Sequence, residues 1–302
     1  MLSVVIPAYN EEPMLLRTAH VLGELLSAEQ IPYELIFVDD GSKDRTWDEI
    51  CAAHQENDHV RGVHFSRNFG KEAAIFAGLS EARGDCVAVM DCDLQHPPAT
   101  LIEMYRRWEE GYEVVEGVKR TRGAESAAHR AATGIFYRIM SKAVKIDMSR
   151  ASDFKLLDRK AVQSLLEMPE RNAFFRAMSS WIGFRQIQVE FDVQEREAGK
   201  SKWSTGKLIS YAVSNIVGYS TAPMQIVTAA GIVVFLLAIV LGIQTLVRYC
   251  TGHTVEGFTT VILLILFIGS VIMISLGIIG YYIARIYEEV KGRPKYIISR
   301  RV

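Results

Sequence analysis

The chain has 302 residues, a formal net charge of −1 and 49% apolar residues. This balance excludes a partner chosen by bulk charge, nucleic acid included, and the length holds one large domain or two ordinary ones. Cys51, Cys86, Cys92 and Cys250 follow no C-x-x-C or Cys/His spacing, which excludes a zinc ladder and suits reducing surroundings. The strand-like run SVVIP begins almost at once, so no cleavable signal is expected.

Over the first 120 residues, apolar runs alternate with helical patterns. The runs predict strands over 3–7, 34–39, 60–66 and 86–91, with a fifth over 113–118. The patterns between them predict helices over 14–28, 47–56, 72–81 and 99–110. Continuously apolar strands separated by helices imply an α/β fold whose parallel sheet is covered on both faces. Ligands of such sheets bind beyond the carboxyl ends of the strands. The four ends read AYNEE, DDGSKD, RNFGKE and DCDLQ, bringing Glu11, Asp39, Asp40, Arg67, Lys71, Asp91 and Asp93 to one rim. One polar strand end is ordinary loop chemistry; four on one rim predict a site. The dinucleotide fingerprint is missing after the first strand, and GKS at 199–201 lacks the first glycine of a phosphate loop.

Asp91 and Asp93 form a D-x-D pair where the fourth apolar run stops. Mg²⁺ and Mn²⁺ prefer carboxylate oxygen and keep positions open for substrate phosphates, so the pair predicts a divalent cation carrying a diphosphate, with Gln95 as a neutral oxygen ligand. His96 is expected to be a loop residue and not a ligand. Strand alternation turns Cys92 away from the metal.

The last third carries the apolar excess. Residues 221–247 and 257–284 contain no charged side chain, and each exceeds the ~20 residues that cross a ~30 Å hydrocarbon layer. The cations lie outside the pair: Lys200, Lys202 and Lys207 before it, then Arg285, Lys291, Arg293, Lys295, Arg300 and Arg301 after it. The positive-inside rule puts both ends in the cytoplasm, with Arg248 a mild exception. The expected organisation is a cytoplasmic domain over 1–220, a membrane hairpin over 221–285 and a cytoplasmic basic tail over 286–302. Within the domain, 126–146 reads as a basic amphipathic helix with Arg130, Arg138, Lys142 and Lys145 on its flanks. It suits either an anionic membrane surface or core packing with a solvated basic face. A second surface helix is expected over 205–220.

PAYNE at 7–11, DDGS at 39–42, RNFGKEAAIFAGL at 67–79, DCDLQHPP at 91–98 and SDFKLLDR at 152–159 together resemble family 2 glycosyltransferases of the GT-A fold. The polyprenyl-phosphate branch is the nearer likeness, and MPERNAFFRAMSSWIG at 168–183 is similar to bactoprenol glucosyltransferases. The resemblance spans nearly the whole chain, including the membrane hairpin. It implies a Rossmann-like, mostly parallel GT-A domain with two C-terminal transmembrane helices. It also implies donor binding by Pro7, Tyr9, Glu11, Asp39, Asp40, Ser42, Lys71 and Asp91, with Asp39 on the base or ribose edge. Asp91, Asp93 and Gln95 would hold Mg²⁺ or Mn²⁺, and Asp93 and Asp153 are the catalytic candidates. Arg196 and Lys202, in the basic segment 195–208, resemble a loop that closes over donor diphosphate; solvated surface is the alternative reading. Arg120 and Arg130 match acceptor-phosphate positions, although Gly134 replaces the hydroxyl residue expected four positions after Arg130.

The implied reaction is attack by a polyprenyl-phosphate oxygen on the anomeric carbon of a nucleotide sugar, with inversion. UDP-glucose is the first expectation for the donor, UDP-N-acetylglucosamine the second and GDP-mannose the third. Because a phosphate's second pKa is near ~6, the nucleophile is already an anion and hardly needs a base. Asp153 is the family's candidate base; orienting a sugar hydroxyl, stabilising anomeric charge, or a salt bridge to Arg150 or Lys155 are the other readings. A separate flippase and a downstream glycosyltransferase are expected partners, and the family makes a homo-oligomer plausible. A processive polysaccharide synthase would need more membrane spans and a late Q-x-x-R-W motif, whereas the RRW here is at 106–108. A non-enzymatic nucleotide-sugar sensor would fit better if a metal carboxylate were missing.

Overall fold

The computed structural model describes residues 1–120, 141, 152–170, 174–192, 222–251 and 257–302. They fall into two compact units, Met1–Ser210 with Pro294–Val302, and Tyr211–Arg293. The expected surface helices at 126–146 and 205–220 lie outside the described residues, apart from Ser141.

The first unit is built on an eight-stranded sheet of order β7-β5-β6-β4-β1-β2-β3-β8. Its strands are β1 Leu2–Ala8, β2 Tyr33–Asp39, β3 Val60–Phe65, β4 Cys86–Val89, β5 Val114–Lys119, β6 Lys155–Asp158, β7 Gln186–Phe191 and β8 Ile298–Arg301. β4, β1, β2 and β3 are mutually parallel. They are the four apolar runs, buried through β1, β2 and β4, as a sheet covered on both faces requires. Helices α1 Glu12–Ala28, α2 Thr46–Glu56, α3 Lys71–Glu81 and α4 Pro98–Glu109 connect or follow these strands, each within two residues of its predicted bounds. The mostly parallel GT-A-type sheet is thus observed, with Val4, Ile6, Leu35, Phe37 and Ala88 in its core.

The far side departs from a purely parallel reading. β6 inserts antiparallel between β4 and β5, pairing Val89 with Lys155 and Glu116 with Lys155. Because β6 runs against β4, the residues just before β6 arrive at the carboxyl end of β4. That reversal carries Asp153 to the D-x-D turn. Gly117 on β5 is required here, since a Cβ would strike the ring of Phe154. Helices α5 Arg159–Glu167 and α6 Phe175–Trp181 follow β6.

The expected basic tail at 286–302 takes a different form. Residues up to Val290 continue a helix, and Ile298–Arg301 become β8, antiparallel to β3. Tyr296 stacks on Phe65 with centroids 5.1 Å apart and shares a 3.0 Å hydrogen bond with Ser80. Arg301 pairs with Glu81 at 3.0 Å. The tail therefore caps the open edge of β3, where an unpaired strand would invite association.

Among the described residues the second unit has two helices, α7 Ala222–Cys250 and α8 Phe258–Val290. Their candidate spans, Pro223–Arg248 and Leu264–Val290, have mean hydropathies of 2.9 and 2.4 and are long and apolar enough to cross a membrane. At 1.5 Å per residue each span is about 40 Å, ample for a ~30 Å core with tilt. Large apolar side chains such as Phe235 and Met273 are more than half exposed. The hydroxyls of Thr228, Ser270 and Ser275 donate to carbonyls four residues back, so these donors are satisfied within their own helices.

Deleting residues 294–302 should lower the apparent unfolding temperature of the first unit by about 5–10 °C, taking ~2–3 kcal/mol of edge packing at 2–4 °C per kcal/mol. Tyr296→Ala should lower it less. Tryptophan fluorescence of the detergent-solubilised chain during heating checks both.

Candidate active site

Four loops leave the carboxyl edge of the sheet and are tied to one another. After β1, Asn10 has φ +54° and its N–H donates to Ser42 Oγ at 2.8 Å, while Glu11 N–H donates to Thr46 Oγ1 at 2.9 Å. Lys43 N–H donates to Asn10 Oδ1 at 2.8 Å. Pro7, Tyr9 and Glu11 are half-buried on this rim. After β2, Gly41 has φ +66°, and a Cβ there would lie 2.5 Å from the backbone carbon of Arg67, so only glycine fits.

The two adjacent aspartates after β2 have different neighbours. Asp39 is fully buried; its Oδ1 accepts from Ser42 N–H at 2.9 Å, and its Oδ2 lies 2.7 Å from His64 Nδ1. Asp39, expected at the base or ribose edge, braces the turn of Ser42 from below. Asp40 accepts from the N–H groups of Phe69 at 2.6 Å and Gly70 at 2.9 Å, pinning the loop that starts α3 at Lys71. Burial pushes the Asp40 carboxyl up to about 6, against the lowering effect of those two N–H donors.

Lys71, the first residue of α3, reaches across the edge. Its Nζ lies 2.6 Å from Asp91 Oδ1 and 3.0 Å from Asp153 Oδ2. Arg176 on α6 grips Asp153 with two bonds, Nε to Oδ1 at 2.6 Å and Nη2 to Oδ2 at 2.7 Å, the fork geometry that favours Arg over Lys. Glu72 accepts from Phe175 N–H at 2.9 Å, fastening the start of α6 to α3. Burial alone would push the Asp153 carboxyl up, but Arg176 and then Lys71 outweigh it and hold it well below the usual carboxylate range. Lys71 is itself held above the usual lysine range, because Asp153 and Asp91 overcome its burial. Burial, reinforced by the Asp153 charge, pushes Glu72 up to about 7.

Asp153 is thus held in its charged form by its two cationic neighbours. Of the two alternative salt-bridge partners of Asp153, Lys155 is engaged elsewhere. The described partners of Asp153 are Lys71 and Arg176, whereas Lys155 is fully buried and pairs with Glu116 at 3.0 Å. Glu116 also accepts from Ser152 N–H at 3.1 Å, which anchors the turn carrying Asp153. Arg150 lies outside the described residues.

In the D-x-D turn, Asp91 and Asp93 are half-exposed, and Cys92 between them is buried against Thr18, as strand alternation implies. Leu94 has φ +54° and Gln95 N–H donates to Asp93 Oδ1 at 3.2 Å, a strained turn of the kind found at functional sites. His96 stacks on Phe154 with centroids 4.6 Å apart, and its Nδ1 has no partner among the described residues. Burial moves it below the usual histidine range.

No group of three His, Cys, Asp or Glu gathers at metal distance among the described residues. Two carboxylates are nonetheless what Mg²⁺ or Mn²⁺ needs when a diphosphate and water complete its shell. Asp91 already binds a cation, the Lys71 ammonium, so the donor set fits.

Arg120 stands at the end of β5, on the same edge, paired with Asp192 at 3.0 Å and Glu190 at 3.7 Å. Arg130, Arg196 and Lys202 lie outside the described residues. Arg176, Glu72 and His64 were not singled out from the sequence. The one available signal for Arg176 was a lone cation in the apolar stretch FFRAMSSW.

The model of the family described as glycosyl transferase family 2 matches residues 3–166. The prophage bactoprenol glucosyl transferase homolog of Escherichia coli K12 is 37% identical over 305 residues, covering 99% of this chain and 98% of that protein. The bactoprenol glucosyl transferase of Shigella phage SfII is 37% identical over 308 residues, covering 99% and 97%. An uncharacterized glycosyltransferase of Synechocystis is 39% identical over 300 residues, covering 99% and 94%. Among solved structures, glucosyl-3-phosphoglycerate synthase from Mycobacterium tuberculosis, determined with Mn²⁺, UDP and glucosyl-3-phosphoglycerate, aligns at TM-score 0.50 and 20% identity. The alignment covers 72% of this chain and 77% of that one, a likeness of fold.

Raised carboxyl groups give a definite pH signature. Asp40 takes up its proton more readily in the folded chain than in the unfolded one, so the folded state binds more protons between pH 4 and 6. Its contribution to stability is therefore present at pH 4 and lost as pH rises through 6. Asp40→Asn should flatten this fall, by on the order of 1–3 kcal/mol across the window. Unfolding temperatures of the two proteins at pH 4, 5, 6 and 7 test it.

Proposed function

This chain belongs to glycosyl transferase family 2, and we propose that it transfers glucose from UDP-glucose to a polyprenyl phosphate such as undecaprenyl phosphate. The anomeric centre inverts, and the product is a lipid-phosphate sugar that serves as donor for modifying cell-envelope glycans. One juxtaposition carries the reading: Asp91 of the D-x-D turn and Asp153 share the Lys71 ammonium at the carboxyl edge of the sheet. The near full-length likeness to bactoprenol glucosyl transferases supports the lipid acceptor and the sugar.

In this reading Pro7, Tyr9, Glu11 and Ser42 form the nucleoside side of the pocket, with Asp39 and Asp40 bracing it from below. Asp91, Asp93 and Gln95 hold Mg²⁺ or Mn²⁺, which when bound supplies charge neutralisation for the departing diphosphate. Lys71 donates hydrogen bonds to phosphate oxygen, joined by Arg196 and Lys202. Arg120 and Arg130 receive the acceptor phosphate. The acceptor oxygen arrives as an anion, so no protein group has to remove a proton. Asp153, kept ionised by Arg176 and Lys71, stabilises the positive charge that grows at the anomeric carbon and orients a sugar hydroxyl.

The two membrane-length helices support a reaction at a bilayer surface. β7 precedes both in sequence and β8 follows both, yet the two strands belong to one sheet. A single sheet stays on one side of a membrane, so the chain crosses an even number of times. The cations flanking the pair favour the cytoplasm as that side in this reading. A separate flippase and a downstream glycosyltransferase complete the proposed pathway, and a homo-oligomer is the proposed assembly.

The test is transfer of label from UDP-glucose, UDP-N-acetylglucosamine or GDP-mannose to undecaprenyl phosphate with Mg²⁺ or Mn²⁺, followed into the organic phase. Label is expected from UDP-glucose and is expected to vanish in Asp93→Ala. Transfer from another donor alone replaces the sugar; transfer from none overturns the reading. A second expectation concerns Asp153→Asn. Its kcat should fall by about 10²–10³, as when one charge-stabilising group is lost, while the pH–rate profile keeps its shape. Loss of an acidic limb in the variant would restore Asp153 as a base.

A further inference from the structure

The cation on Asp91 is tethered at its backbone and shared between two carboxylates. Lys71 begins α3, and its backbone is fixed by the hold of Asp40 on Phe69 and Gly70. Beyond that anchor the ammonium sits on a flexible four-carbon stem. It has two carboxylate partners, at 2.6 Å on Asp91 and 3.0 Å on Asp153. Asp153 does not depend on Lys71 alone, because Arg176 already holds both of its oxygens.

A hard divalent cation binds carboxylate oxygen at about 2.0–2.1 Å. If Lys71 kept its 2.6 Å contact on the same carboxylate, two cations would stand within a few ångströms of one another, a strong repulsion in a partly buried site. We propose that Lys71 is an internal counter-ion that occupies Asp91 in the resting chain and yields it to the divalent cation, staying on Asp153. The inference rests on the metal reading of Asp91 and Asp93 given above. In the resting site Lys71 and Arg176 balance Asp91 and Asp153. A bare divalent cation therefore has to displace a bound charge, whereas one that arrives with a diphosphate brings negative charge with it. The ammonium that leaves Asp91 becomes a donor for that diphosphate, so metal entry and donor capture are one event.

The experiment uses the full chain in nanodiscs. Mn²⁺ is titrated and its free signal followed by electron paramagnetic resonance, with and without UDP, for wild type, Lys71→Met, Lys71→Arg and Asp93→Ala. Without nucleotide, Lys71→Met is expected to bind Mn²⁺ about tenfold or more tighter than wild type, within the usual range of coupling between two sites. Lys71→Arg, which keeps the charge, is not. In wild type, acylation of Lys71 by an amine reagent, read by peptide mass spectrometry, should speed up on adding Mn²⁺ and stay constant in Asp93→Ala. Equal or weaker binding by folded Lys71→Met overturns the exchange. So does unchanged labelling of wild type that binds Mn²⁺, and this readout stands if the variant does not fold. Failure of wild type to bind Mn²⁺ even with UDP overturns the metal reading itself, an outcome distinct from the other two.

Discussion

Two carboxylates on one ammonium are the interaction on which this site depends. Asp91 and Asp153 are separated by more than sixty residues in sequence, and like charges this close repel unless a cation stands between them. Lys71 supplies that cation and Arg176 supplies the next. Each comes from a different element, so the contact ties α3, the D-x-D turn, the lead-in to β6 and α6 together. Glu72, one residue on from Lys71, fastens the same α6 by its backbone. Loss of any one charge leaves the others unbalanced in a partly buried setting, where the cost is highest.

The electrostatics also set the charge of Asp153. A carboxylate gripped by a guanidinium and an ammonium is held in its charged form. The strained Leu94, the glycine at 41 and the cross-links from Asn10 to Ser42 and Lys43 and from Glu11 to Thr46 serve rigidity. They hold the rim in place, so that positioning is done by the fold before a substrate arrives.

Much of this architecture was legible in the chain, and the exceptions have physical causes. Four parallel strands announced themselves because burial on both faces demands unbroken apolar runs. β6 did not, since KLLD carries a lysine whose burial is tolerable only with Glu116 opposite it on β5. β7 is mostly exposed and shows no apolar run, while β8, ISRR, looks like solvated tail until Tyr296 is seen on Phe65. Asp39 and Asp40 are identical neighbours in the sequence. Only the distant His64 on one and the loop at Phe69 and Gly70 on the other separate a buried brace from a loop anchor. Arg176 is the sharpest miss, because its partner is made by the reversal of β6, a long-range event with no local pattern. The membrane-length helices were plain from their uncharged lengths alone.

The position of β8 has a consequence for how the molecule is made. β3 ends at Phe65, but the strand that covers its edge begins at Ile298, after both apolar helices. On a ribosome adding 5–20 residues per second, roughly 10–50 s separate the two. Throughout that interval the nascent domain carries an open edge of the kind that recruits other chains. Completion of the sheet has to wait until α7 and α8 have been synthesised and residues 298–301 have followed them. A chain that stops anywhere before Ile298 never receives its final strand, and so the order of synthesis makes the finished sheet a record that both apolar helices were translated.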